Sequence, residues 1–397
     1  MLSAEWCAHG FDHTSPELAQ SLHETLATMR ADHPVAYSEE HGGFWVLTRY
    51  EDVLRVAQDW RTFSSAQGVS VPATKMVVKA IPEHLDPPLH REYKRLINAW
   101  FTPAVVAAYE GPTRALVTRL LDGFVEAGAC DFMADFARPF PGLAFFDLVL
   151  NAPSDQLAEI NAKATSASVP NNPDARDAWA YMYRWISDLL EQRRHEPPHG
   201  DVVDAVIAAE IEGRPITDEE AIGVVQLLIL GGLDTTAGVL GQVMIRFCHE
   251  PEIPALLRRE PERIPDAIEE LLRLETSFVA IARTATCDTE IGGRQIREGD
   301  KVLIYWASAN RDEGEFPCPA DFDPNRASNR HLTFGAGPHR CAGSNLARMN
   351  VRIALEEVVT RLDGLRLATD EPIPFHSVLN RAPLTVPITF TPGPRSA

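Results

Sequence analysis

The sequence predicts a mainly α protein with a small β region, and three observations predict it. Apolar residues recur at helical spacing along most of the chain, as in Leu18, Leu22, Leu26 and Met29. Strand-like runs rich in aromatic and β-branched residues are few and short, at 43–48, 277–283 and 301–306. No long linker, internal repeat or low-complexity tract divides the 397 residues. Residues 1–397 are therefore expected to form a single domain, for which a hydrophobic content of 45% is ample.

In chain order, a helix over 16–31 opens the fold, followed by a strand at 43–48 and a helix at 50–59. The segment 61–85 is irregular, with Gly68, Pro72 and Pro82. A loop of that length inside a compact domain is either a binding or lid element or a plain surface loop. Asp86-Pro87-Pro88 then supplies a helix start and sets His90 and Lys94 four apart on one face. By itself that face is a solvated basic one. The helical stretches 103–125, 139–150, 154–166 and 174–194 show no chemistry in their composition.

Thr217 and Glu220 form a capping box and Pro251 ends the pattern, so residues 217–249 read as one helix of roughly 50 Å that must cross the whole domain. Its middle is Gly231-Gly232-Leu233-Asp234-Thr235-Thr236. Each glycine costs a helix interior roughly 1 kcal/mol against alanine, and a buried aspartate costs more. Glycines alone also suit a close helix crossing, but a purely structural helix would avoid the whole set. Further on, 268–273 is helical, with Glu270 and Arg273 at i and i+3, on an exposed helix a pair worth a few tenths of a kcal/mol. A hairpin turns on Gly292-Gly293, and 301–306 is a strand.

Composition excludes several classes. A net charge of −19 disfavours nucleic acid and anionic membrane as partners. The first ten residues lack the basic start and apolar core of a secretory signal, and apolar runs such as 224–233 fall short of the roughly 20 residues that span a bilayer. Six cysteines at 7, 130, 248, 287, 318 and 341 contain no CxxC pair, against a zinc site or disulfide scaffold. A soluble protein of the reducing cytoplasm is expected.

One stretch concentrates chemistry: Phe334-Gly335-Ala336-Gly337-Pro338-His339-Arg340-Cys341-Ala342-Gly343. Its glycines allow tight turns and close approach to a bulky partner. The helix pattern that starts at Ser344 puts Cys341 at a helix N-terminus, where free N–H groups and the dipole favour thiolate, as metal ligand or as nucleophile. The pattern Phe-Gly-x-Gly-x-His-x-Cys-x-Gly resembles the haem-binding loop of the cytochrome P450 family. That resemblance implies haem b (iron protoporphyrin IX), with Cys341 as axial ligand of the iron, a thiolate that pushes electron density onto the metal. It also implies Phe334 and Gly343 beside the sulfur, and His339 on a haem propionate.

Three more motifs follow the same family in order. His90 and Lys94 resemble its propionate-binding helix, with lysine where arginine is usual; lysine offers a point charge in place of a planar fork. The stretch from Gly231 to Thr236 resembles the oxygen-binding helix of camphor-hydroxylase-like bacterial members. There the glycines, Gly231 among them, leave room for dioxygen, Thr235 donates or holds a water, and Asp234 relays the protons that O2 reduction consumes. Glu270, Arg273 and Arg326 resemble the structural triad that holds the cysteine loop. The resemblance further puts Arg283 on a propionate, Val279 beside the substrate, and the region 169–185 over the substrate entrance. An apolar pocket is expected from Leu227, Leu230, Phe278, Val279 and the 61–85 loop.

The implied activity is insertion of one oxygen atom from O2 into a small, mostly apolar organic substrate, by hydroxylation or oxidative demethylation. With no flavin or nicotinamide domain attached, two electrons are expected from a ferredoxin served by an NAD(P)H-dependent ferredoxin reductase. Residues 324–355 hold Arg326, Arg330, Arg340, Arg348 and Arg352 and no Asp or Glu. With Arg91 and Arg95 they are expected to form the face where an acidic ferredoxin docks. The rival readings are a Cys–His hydrolase using Cys341 and His339, and a haem protein that senses gas or is driven by peroxide; the Asp234–Thr235 pair argues against both.

Overall fold

The computed structural model describes residues 4–74, 76–168 and 172–396. Its axis is the helix Asp218–His249, 32 residues capped by Thr217 and Glu220 as the capping box predicts. Among the described residues it alone is long and apolar enough to cross a bilayer, yet 67% of its apolar stretch is buried inside the fold. The helix is apolar around most of its circumference because other elements cover it on most sides. Pro139–Phe145, Leu157–Ser168, Ala175–His195 and Ser344–Arg361 pack around or beside it.

The β region is one five-stranded sheet in the order Val35–Ser38, Phe44–Leu47, Lys301–Tyr305, Ala280–Ala285 and Phe63–Ser64. Phe44–Leu47 runs parallel to Lys301–Tyr305, and the other pairings are antiparallel. The sheet is thus joined from chain segments more than 200 residues apart. A second sheet, Asp363–Leu367, Pro387–Thr391 and Ala129–Asp131, and a hairpin, Phe375–Ser377 with Arg381–Pro383, were not foreseen. Their strands are three to five residues long, too short for alternation to register.

Other differences have local causes. The single helix expected over 103–125 is two, Pro103–Ala107 and Glu110–Asp122. Asp86 does not cap the next helix, which starts at Leu89 with no side-chain cap. Its carboxylate instead accepts from the Ser64 hydroxyl and the Ser65 N–H, the latter at 2.9 Å, tying the irregular loop to the helix.

Candidate active site

Cys341 closes its loop by donating its N–H to the Phe334 carbonyl at 2.8 Å. Gly335 and Gly337 take φ of +67° and +68°, where side chains are strained. A Cβ on Gly337 would collide with the Ala57 carbonyl, so this glycine serves contact with the helix Tyr50–Gln58 and not with a ligand. Gly343 caps the helix Ser344–Arg361, two residues beyond the cysteine. The thiol faces an internal cavity. Burial pushes it up, and Lys94, the Gly343 N–H, Arg340 and Arg348 draw it down without prevailing. The Gly343 N–H at the helix terminus thus favours the expected thiolate, and a coordinated metal ion deprotonates such a group outright.

The triad forms as expected. Glu270 accepts from Arg273 at 2.7 and 2.8 Å and from Arg326 at 3.2 Å, with side-chain exposures of 0%, 0% and 9%. Burial raises the Glu270 carboxyl, but the Arg273 hydrogen bonds and charge outweigh it and hold the group low. Arg273 also donates to the carbonyls of Asn310, Pro319 and Asp321. A second tie went unnoticed in the sequence: Glu269 binds Arg348 at 2.6 and 2.8 Å and His331 at 3.1 Å. Arg348 in turn lies 4.4 Å above the Phe334 ring. Glu269 precedes the motif residue by one and looked like an ordinary surface acid.

One edge of the cavity is cationic. His90, Lys94, Arg283 and His339 line it together, as the sequence predicts. Both His90 nitrogens are buried without a partner, and its ring lies 4.3 Å from that of His339. Burial and the Lys94 charge push His90 down to about 4; burial, Arg283 and His90 push His339 to about 2. Lys94 donates to the Arg340 carbonyl at 2.6 Å, next to Cys341. This edge offers unused hydrogen-bond capacity to an anion, beside Glu83, whose carboxylate already faces Lys94 and Arg283.

The opposite wall belongs to the central helix. A Cβ on Gly231 would meet nothing within 4 Å, so this position does open space to the cavity. Gly232 does not: a Cβ there would lie 2.7 Å from the Phe145 ring, and its reason is packing. The Thr235 hydroxyl donates to the Gly231 carbonyl at 3.1 Å, and Asp234 accepts from Thr165 at 3.2 Å. Burial raises the Asp234 carboxyl; Thr165, His376 and Arg138 work against it.

Leu227, Leu230 and Phe278 line the cavity, but Val279 does not. It is fully buried in the cluster formed with Phe11 and Tyr305. It stands just before the regular strand, which starts at Ala280. The 61–85 loop supplies Val69, Ser70, Met76 and Glu83 as wall of the cavity. Of the region 169–185, Trp179 lines the cavity, while Val169 lies outside the described residues. Phe145, Thr165, His376 and Asn380 were missed, because nothing local in their sequence marks them.

A match to the cytochrome P450 family covers residues 148–386. A probable cytochrome P450 127A1 of Sinorhizobium fredii is 37% identical, over 89% of this chain and 87% of its own. The chain belongs to the cytochrome P450 family. Nocardicin C N-oxygenase of Nocardia uniformis is 35% identical over 94% of this P450 and 96% of its own length. The solved structure of CYP109Q5 from Chondromyces apiculatus superposes with a TM-score of 0.87 at 28% identity, covering 98% and 99% of the two chains.

This P450 is accordingly a bacterial haem-thiolate monooxygenase that uses O2 and an organic substrate and needs redox partners. The residues present fit haem: the cavity offers one thiol at its floor, an opening at Gly231, and unpartnered donors at the edge where two carboxylates would lie. The hydrolase alternative falls with the family. No hydrogen bond joins Cys341 to His339 among the described residues, and His339 Nε2 instead meets the Ser65 hydroxyl at 3.3 Å.

The arginine-rich segment is less free than its sequence implies. Arg330 pairs with Glu315 at 2.7 Å, Arg348 with Glu269, and Arg352 with Glu110 and Glu356 at 2.8 and 3.0 Å. Arg95 pairs with Glu92 at 3.0 Å. Folding brings in acids that the local stretch lacks. Arg91 and Arg340 are exposed and without an ion pair among the described residues.

Proposed function

We propose that this P450 inserts one oxygen atom of O2 into a small, mostly apolar organic molecule, by hydroxylation or oxidative demethylation, in the cytoplasm and as one folding unit over residues 1–397. The observation that carries the reading is one cavity lined by Cys341 together with Asp234 and Thr235 and by the apolar Leu227, Leu230, Phe145, Trp179 and Phe278. When bound, haem supplies an iron that accepts electrons and activates O2. Cys341 would ligate its iron, and His90, Lys94, Arg283 and His339 would hold its carboxylates, Lys94 while also bonded to the Arg340 carbonyl. The apolar wall desolvates and orients the substrate, and so favours terpenoid, aromatic or fatty compounds over charged ones.

Thr235 and Asp234 handle protons. Thr235 keeps its hydroxyl on the Gly231 carbonyl, from which it turns to donate or to hold a water; Asp234, kept from ionising freely by burial, passes protons to that side. Thr235→Ala is expected to retain the substrate-induced Soret shift while product per NAD(P)H falls on the order of tenfold and peroxide rises. Parental product yield in both this variant and Asp234→Asn would refute the relay.

Electrons come from a ferredoxin reduced by an NAD(P)H-dependent reductase, docking where Arg91 and Arg340 stand unpaired. Reduction is expected to slow as salt passes ~0.1 M, where screening reaches roughly 10 Å. Arg340→Glu should slow it further while the substrate-induced shift is unchanged. Equal ferredoxin-driven rates for parent and variant across a salt series rule the docking site out.

A further inference from the structure

We propose that His376, on the C-terminal hairpin, is the group through which solvent protons reach Asp234. The proposal rests on the relay role given to Asp234 above. The hairpin Phe375–Ser377 with Arg381–Pro383 lies directly on the central helix: a Cβ on Gly238 would sit 3.0 Å from the Arg381 carbonyl, which also accepts from Gln242 at 3.3 Å. Asp234 is one helical turn before Gly238 and shares its face. His376 is in register with Ala382, the residue after Arg381, and both His376 and Asp234 line the cavity at the corner where the hairpin packs on the helix, with no direct hydrogen bond or ion pair between them.

The groups around this corner leave few other routes. Asp234 is faced by the Thr165 hydroxyl, by His376 and by Arg138, and it has no ion pair among the described residues. Arg138 is occupied in holding the hairpin, donating to the Pro383 and Leu384 carbonyls at 3.4 and 2.7 Å. Thr165 already spends its one hydroxyl proton on Asp234. His376 is half-buried, with neither ring nitrogen hydrogen-bonded to the protein among the described residues. Burial pushes it down, Asp234 opposes this and Arg138 adds to it.

A neutral imidazole between solvent and a carboxylate transfers protons without keeping charge. One ring nitrogen takes a proton from solvent as the other gives its own, through one bridging water, to the Asp234 carboxylate, and the ring ends neutral in its other tautomer. Reorientation of the ring, or the reverse exchange with water, resets it for the second proton.

The test uses the haem-loaded protein. His376→Phe and His376→Gln are both expected to cut product per NAD(P)H on the order of tenfold, with the substrate-induced Soret shift retained, since glutamine keeps hydrogen bonding but cannot relay. In the diamagnetic reduced CO complex, proton NMR titration should show the His376 pKa falling in Asp234→Asn, which removes the carboxylate that favours the imidazolium. Parental yield in either His376 variant alongside an uncoupled Asp234→Asn would overturn the histidine route and leave Asp234 standing. Parental yield in Asp234→Asn would take both down. Identical His376 titration in parent and Asp234→Asn also overturns the proposal.

Discussion

Cys341→His is expected to move the Soret band of the reduced CO complex from the strongly red-shifted position of thiolate ligation to that of histidine-ligated haem, and to abolish oxygen insertion. Of the six free cysteines, Cys341 alone lines the cavity, so no other described thiol can replace it. The loop itself should survive, because its closure uses the Cys341 N–H and not the side chain. Lys94, Arg340 and Arg348, which draw the thiol toward ionisation in the parent, would then disfavour a protonated imidazole and keep it neutral, as ligation requires. An unchanged spectrum would remove Cys341 from the metal.

Glu270→Gln is expected to cost about 3–5 kcal/mol of stability, the usual penalty for leaving a buried charge without its partner. Arg273 and Arg326 would both lose the carboxylate between them, and Arg273 is fully buried. Because the native carboxyl is held low, its contribution is complete above the ordinary glutamate value near 4.3 and is lost as pH falls from there through the lower native value. The measurement is urea denaturation of parent and variant at neutral pH, followed by far-UV circular dichroism. A midpoint within error of the parent would reduce the triad to an ordinary surface pair. The loss should also loosen haem, because residues 317–329, which the triad anchors, lead directly into the cysteine loop.

Residues whose role depends on their own chain neighbourhood were legible in the sequence. The capping box, the opening at Gly231, the Glu270–Arg273 spacing and the cysteine loop all stand where their patterns put them. Roles set by distant partners were not. Gly337 looked like a ligand glycine and answers to Ala57, some 280 positions away; Gly232 answers to Phe145. The arginines of 324–355 looked like an open field of charge until Glu110, Glu269 and Glu315 were folded against them. Val279, placed beside the substrate by the family resemblance alone, stands before the regular strand and is buried in the core instead.

The triad and the hairpin's tie to the first helix differ in how far along the chain their partners lie. The triad that fixes the cysteine side joins positions 56 apart, whereas the hairpin over the other side is pinned by Arg381 donating to the Ala19 carbonyl, 362 positions away. Each doubling of a closed loop adds only about 0.6 kcal/mol of entropy, so the longer closure costs little stability but forms later on the folding path. The triad should therefore form while the hairpin is still undocked, whereas the cysteine loop, which also closes on Ala57 and Lys94, is completed only as the distant first third of the chain packs against it.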